Sequence, residues 1–388
     1  GRFMAEGQHI LWGTPHSLYT GKARSYLIKK QIPFEERFPG DPHFLGEIVP
    51  AIGHMVIPVL EQADGLLVQD TSAIIDHLDA LYPAPDFKPA GAVQQVVAAF
   101  LDAFGSNYLL PLAMHYRWTY RAQQEAFLRA EFARAVPPAV PYPQRLAMAG
   151  AIMDRFNGFL PNLGVTPAVI PAMEESYREL LAALEAHFQL HPYLLGGRPS
   201  LADFGMIAPL YAHLARDPVP AHLMRTIAPN VARWTERMNS AAIPDSDYAD
   251  TSGTFPADDA IPESLEAVLR VAFAQWGPGL AADAAQFDRW FGSLPDAPAG
   301  TLVSHDGARQ VHPHVGRVSY AWQGVTIERG SQPHSLWHLA RAQALAESLA
   351  PSAAEAFAAL LARTGGTAVM AIRTARPITR SENVLVLA

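Results

Sequence analysis

Three junctions in the first quarter of the chain carry groups that can do chemistry together. The first is Thr14-Pro-His-Ser-Leu-Tyr-Thr-Gly-Lys-Ala-Arg24, which links an apolar run, His9-Ile-Leu-Trp-Gly13, to a helical pattern. A hydroxyl there sits at the positive end of a helix, beside N–H groups without helical partners. A thiol bound against it is pushed toward thiolate by that field and by a hydrogen bond from the hydroxyl. Ser17 or Thr20 also reads as a plain N-cap, worth about 1 kcal/mol. The second junction is Val56-Ile-Pro-Val-Leu60. Pro58 at a strand start fits a trans proline on an edge, or a cis bond that turns the Ile57 backbone outward toward an extended ligand. The third is Gln69-Asp-Thr-Ser-Ala-Ile-Ile75. There Asp70 offers a carboxylate for an ammonium, and Thr71 a hydroxyl and N–H groups for a carboxylate, the two ends of an α-amino acid. Simple helix capping explains the same pair.

The elements that must position these groups follow from periodicity. Strands are expected at 9–13 and 31–35, with a helix over 22–30 between them. Residues 57–61 and 65–68 form a hairpin around Ala63-Asp-Gly65, and Asp70 to Leu81 a helix with Ile74, Ile75, Leu78 and Leu81 on one face. From 91 to 239 the spacing is helical throughout: 93–114, 116–135, 147–159, 172–189, 201–216 and 228–238, broken by the proline-rich loop at 135–143. Ser200 and Asp203 form a capping-box pattern before the fifth of these. Residues 241–262, rich in Ser, Asp, Thr, Gly and Pro, read as a linker. Beyond them lie helices at 263–276 and 281–293, a hairpin at 316–322 and 325–329 turning on Gln323-Gly324, two further helices, and a strand at 367–372. Tyr320 and Trp322 alternate onto one face of that hairpin, which suggests a packed surface.

Composition narrows the function. The 388 residues carry 29 basic and 37 acidic side chains, a formal charge of −8, which argues against a nucleic-acid partner. There is no cysteine, so thiolate metal sites, iron–sulfur clusters and a cysteine nucleophile are excluded. The most apolar window, Val96 to Met114, is interrupted by Asp102, Asn107 and Pro111 and makes a poor membrane span. With no signal-peptide pattern, the expectation is a cytoplasmic protein with no membrane contact. His312 and His314, two apart on a strand, would share a face and could start a zinc site. No third ligand stands out, and no metal is expected.

The order and spacing of the junctions carry more than any one of them. Ser17-Leu-Tyr-Thr-Gly-Lys-Ala-Arg24, Ile57-Pro-Val-Leu60, Asp70-Thr-Ser-Ala-Ile74 and Ser200-Leu-Ala-Asp-Phe204 together resemble the glutathione S-transferase superfamily, over residues 8–240. With the tail included, the chain looks like large bacterial members of serine type with an extra C-terminal region. The resemblance implies an α+β or α/β fold: a thioredoxin-like glutathione-binding domain at 8–85, an all-helical transferase domain at 91–240, and an α+β extension at 263–388. It implies a cis Pro58. It assigns thiol activation to Ser17, since the first strand offers Trp12 where tyrosine-type members keep their tyrosine. Ile57 and Pro58 would hold the cysteinyl part of glutathione, and Asp70 and Thr71 its γ-glutamyl end. Asp is one methylene shorter than the usual Glu or Gln, and Leu18 stands where many members have Pro. Tyr19, His115, Tyr116 and Trp118 would line the pocket of a small hydrophobic electrophile, although an ordinary buried amphipathic helix accounts for the last three. The implied activity is glutathione conjugation, ether cleavage, dehalogenation or isomerisation, of the detoxification kind, in a homodimer. A transferase-like scaffold without chemistry is the alternative.

Overall fold

The computed structural model describes residues 8–381 and 383–388. Its first unit is a four-stranded mixed sheet, order β2-β1-β3-β4. The strands are β1 (His9–Trp12), β2 (Phe34–Arg37), β3 (Val59–Glu61) and β4 (Leu67–Gln69). β1 runs parallel to β2 and antiparallel to β3. Every residue of β1 is buried, as a central strand covered on both faces requires. Alternation then splits the side chains. Leu11 and Leu60 join Ala23, Leu27 and Ile74 on one face, while Ile10, Trp12 and Val59 pack with Phe44 and Ile48 on the other. The first face is covered by α1 (Leu18–Lys29) and α3 (Thr71–Leu81); a short α2 (Val49–Ile52) lies in the β2–β3 connection. α1 starts four residues before the expected Lys22, because Ser17 caps it.

The second unit is helical: α4 (Ala92–Ala103), α5 (Leu109–Trp118), α6 (Glu125–Phe132), α7 (Tyr142–Asn157), α8 (Ile170–Phe188), α9 (Leu201–Ala212), α10 (Pro218–Ile227) and α11 (Pro229–Arg237). A π-helical turn, Phe104–Tyr108, joins α4 to α5. The expected single helix over 116–135 is instead broken by a 3₁₀ turn at Arg121–Gln124. The stretch 92–118 is long and apolar enough by composition to cross a membrane, but 83% of its most apolar window is buried within the protein. α9 packs on both α1 and α4. The closest approach is between backbones: a Cβ on Gly205 would lie 2.3 Å from Asp102 Cα. The capping box of α9 is present. Asp203 accepts from Ser200 N–H at 3.0 Å, and also from Leu194 N–H and Trp234 Nε1.

Residues 241–262 are seated against the body. Gly197 N–H donates to Thr254 O at 3.2 Å. The residue before α4 is Gly91, which has no side chain to cap it. Asp259 supplies the cap instead, accepting from the N–H groups of Val93 and Gln94, each at 2.9 Å.

The C-terminal region packs on the helical unit. α12 (Glu263–Gly292) is one helix, not the two expected on either side of Pro278. Proline removes one helical hydrogen bond. Phe273, Trp276, Leu280 and Phe287, buried on both sides of it, hold the helix together, and Phe273 stacks on Phe100 at 4.4 Å. The hairpin β5 (Arg317–Trp322) and β6 (Val325–Gly330) turns on Gln323 and Gly324, both with positive φ. Trp322 is buried and its Nε1 donates to Gln275 O at 2.8 Å, so the hairpin is a packed surface as expected. α13 (Pro333–Glu347) lies along α4, and its Arg341 pairs with Asp76 of α3 at 3.1 Å. After α14 (Pro351–Thr364), the expected strand at 367–372 is instead a short helix, α15 (Thr367–Met370). Left-handed Gly365 stops α14, and the chain turns at once because Gly366 abuts Phe273. Two strands not expected from the sequence close the chain: β7 (Ile378–Ser381) and β8 (Val384–Leu387).

Candidate functional site

Strand register brings the three junctions to one end of the sheet. Trp12, the last residue of β1, pairs with Val59, and Val59 pairs with Gln69. Gly13–Ser17, Ile57–Pro58 and Asp70–Thr71 therefore leave the sheet side by side. Gly13 allows the chain to turn tightly into α1, since a Cβ there would lie 2.3 Å from the Thr20 side chain. Arg24 braces the turn, donating to Thr14 O at 3.0 Å and to Glu36 at 2.7 Å. Ser17 Oγ accepts from Thr20 N–H at 3.4 Å. The capping reading is thus realised, and it uses a lone pair while leaving the hydroxyl proton to donate elsewhere. Tyr19 is half-buried; its hydroxyl donates to Ser106 O at 3.0 Å and its ring stacks on His312 at 5.6 Å. Burial raises its pKa, so Tyr19 stays protonated.

The Ile57–Pro58 bond is cis. Among the described residues, neither backbone group of Ile57 has a hydrogen-bond partner. At the third junction Asp70 has φ 78° and ψ 128°, an unusual backbone for a residue with a side chain. Such strain costs on the order of 1–3 kcal/mol and concentrates where a site needs it. Asp70 Oδ2 accepts from Ala73 N–H at 3.3 Å. The N–H groups of Thr71 and Ser72, at the first two positions of α3, lack helical partners.

The groups that complete this end carry no local signature in the sequence. The guanidinium of Arg380, on β7, lies 3.4 Å from Asp70 Oδ1. It also donates to His334 Nε2 at 3.1 Å and sits over the Trp337 ring. From there a chain of hydrogen bonds crosses to α1. His334 Nδ1 donates to Asn107 Oδ1 at 2.6 Å, and Asn107 Nδ2 donates to His338 Nδ1 at 3.0 Å. His338 Nε2 then donates to Asp102 Oδ2 at 3.1 Å, and Lys22 Nζ donates to Asp102 Oδ1 at 2.7 Å. Arg380 donates to His334 Nε2 and Asn107 donates to His338 Nδ1, so both histidines are neutral, each with one defined tautomer. Burial pushes both imidazole pKa values down accordingly. Burial alone would raise Asp102, but Lys22 and His338 outweigh it and hold its carboxyl below the usual range. The π-helical turn makes the arrangement possible. It presents Ser106 O to Tyr19, Ser106 Oγ to Lys22 and Asn107 to the histidines.

His115, Tyr116 and Trp118 fall elsewhere. They are 0%, 2% and 3% exposed, and Trp118 packs with Phe132 at 5.3 Å. Full burial takes them out of any open cleft, and the core-helix reading describes them. Nearby, a narrow cavity of about 50 Å³ lies between the helical unit and β5–β6, lined by Tyr108, Tyr177, Trp276 and Tyr320. That is small against the several hundred Å³ of a typical ligand pocket. His312 and His314 are not on a strand: His312 turns to Tyr19, His314 to His305 at 3.8 Å. Among the described residues no three metal-ligating side chains come together.

The family model for the glutathione S-transferase N-terminal domain matches residues 11–86, and that for the C-terminal domain matches 155–242. The chain thus carries the N- and C-terminal domains of the glutathione S-transferase superfamily, matched over less than half of its length. It is similar to a glutathione S-transferase structure from Rhodospirillum rubrum F11 at 17% identity and TM-score 0.37, covering 66% of this chain and 97% of that one. A second similar structure, from Methylobacterium radiotolerans with glutathione sulfonate, shows 20% identity and TM-score 0.34 over 64% and 96% of the chains. A third, from Ceriporiopsis subvermispora with glutathione, shows 15% identity and TM-score 0.40 over 60% and 98%. No curated protein matches the chain.

Proposed function

We propose that this protein is a serine-type glutathione transferase acting on a small hydrophobic electrophile. The observation that carries the reading is the register-fixed convergence of Ser17, Ile57–Pro58 and Asp70–Thr71 at one end of the sheet. Ile57 would pair through its backbone with the cysteinyl part, and Asp70 and Thr71 would hold the γ-glutamyl end. Ser17 would direct its O–H as a hydrogen bond to the sulfur, stabilising the thiolate left when the thiol proton passes to bulk water. The thiolate then attacks an electrophilic carbon, forming a C–S bond, while the leaving group departs with its electron pair or the ring-opened product takes a proton from water. Tyr19 borders the same mouth and is a candidate contact for the electrophile. Homodimerisation is part of the proposal, to be read by light scattering.

Calorimetric titration of glutathione into the purified protein tests the reading. Saturable binding in the micromolar-to-millimolar range, with turnover of an aromatic halide, supports it. A folded protein giving no heat and no thermal shift at high glutathione overturns it in favour of a scaffold.

A further inference from the structure

We propose that Arg380 of the C-terminal extension forms a wall of the glutathione site and pairs with the α-carboxylate of the γ-glutamyl end. The proposal rests on the glutathione reading above and adds to it a specificity-determining residue from outside the two family domains.

Arg380 is placed for this independently of Asp70. His334 accepts from it at 3.1 Å, Trp337 lies 5.1 Å beneath it, and its Nη2 reaches Asn383 O at 3.5 Å. His334 is itself fixed through Asn107 to the core of α4. The contact with Asp70 is a single one at 3.4 Å, not a bidentate pair, and the two side chains keep 13% and 14% of their surface exposed. A guanidinium held this way can meet a ligand's carboxylate without leaving its seat. Its positive charge adds to the two free N–H groups at the start of α3, so a ligand carboxylate meets donors from two sides. It also shares Asp70 with any ligand ammonium, which weakens recognition of that group. The site is therefore tilted toward the carboxylate of the amino-acid end. A residue that merely plugged the ammonium's place would instead have to swing away, losing His334 and Trp337.

The test titrates glutathione and its analogue without the α-carboxylate, γ-aminobutyryl-cysteinyl-glycine, into wild type, Arg380→Gln and Arg380→Lys. Wild type should prefer glutathione by roughly tenfold or more, as a charge-assisted hydrogen bond implies. Arg380→Gln should lose most of that preference by weakening glutathione alone, and Arg380→Lys should recover part of it. Wild type binding both ligands equally overturns the proposal without needing a variant. So does an Arg380→Gln protein that binds glutathione as tightly as wild type or more tightly, or that weakens both ligands alike. Absence of binding to either ligand in wild type overturns the glutathione reading itself, and this proposal with it.

Discussion

Asp102 and His338 stand 236 positions apart in the chain and 3.1 Å apart in space. The other oxygen of Asp102 holds Lys22, a lysine only 1% exposed. One carboxylate thus joins α1, α4 and α13. Removing its charge leaves a buried ammonium without a counter-ion, and Asp102→Asn should cost about 3–5 kcal/mol in a denaturant titration. The Lys22→Met/Asp102→Leu pair, which removes both charges, should recover much of the loss. Additive losses in the double variant would show that the pair does not act as a unit.

Ser17→Ala should have two separable effects. Losing the N-cap costs about 1 kcal/mol of stability. Under the proposed mechanism the bound thiol also loses its donor, so its pKa rises and turnover falls. The ultraviolet absorbance of bound thiolate against pH reads the second effect alone. Ser17→Thr keeps the hydroxyl and should restore both. Wild-type turnover in Ser17→Ala would remove Ser17 from the mechanism.

Asp70 sits where stability and binding should part company. Its φ of 78° suits glycine. Asp70→Gly relieves that strain and replaces a capping carboxylate by the next-best cap. Its unfolding free energy should match or exceed wild type by up to about 1 kcal/mol, while glutathione affinity falls. A less stable variant with unchanged affinity would give Asp70 a purely structural role.

The buried histidines set the acid response. Burial lowers the pKa values of His16 and His187 to about 4 from an ordinary 6.5. Between pH 6.5 and 4 the unfolded chain therefore binds protons that the native state refuses. Stability rises with pH across that window and is lost on acidification, by ~1.4 kcal/mol per pH unit for each group. His334 and His338, also lowered, act in the same sense. Asp203 opposes them: burial pushes it up to about 6, so it favours the native state as pH falls from 6 toward 3.8. The histidines outnumber it. Unfolding free energies measured at pH 6.5, 5.5 and 4.5 should fall in that order, and a flat profile would mean these imidazoles are charged in the native protein.

What the sequence disclosed and what it hid divide along contact range. Ser17, Asp70 and the Ser200–Asp203 box sit at element starts, where a side chain bonds backbone two or three residues away, and such spacing is visible in one dimension. Arg380, His334 and His338 act on residues hundreds of positions upstream. In the sequence they are one arginine among many and two of 15 scattered histidines. His115, Tyr116 and Trp118 show the reverse error. An aromatic, basic stretch looks the same whether it lines a pocket or fills a core, and only packing tells them apart. Pro278 misled because a proline's local cost is visible while the burial that outweighs it is not.

The cap on α4 has a consequence for synthesis. Asp259 binds N–H groups that leave the ribosome more than 160 residues earlier. A nascent chain that has emerged through residue 242 contains every residue matched by the two family models, yet its longest apolar stretch still begins with an uncapped helix whose Phe100 lacks Phe273. The transferase-like part of this protein is therefore not a unit that finishes first and acquires a tail. Its order of assembly is written backwards, with the end of the chain completing the beginning.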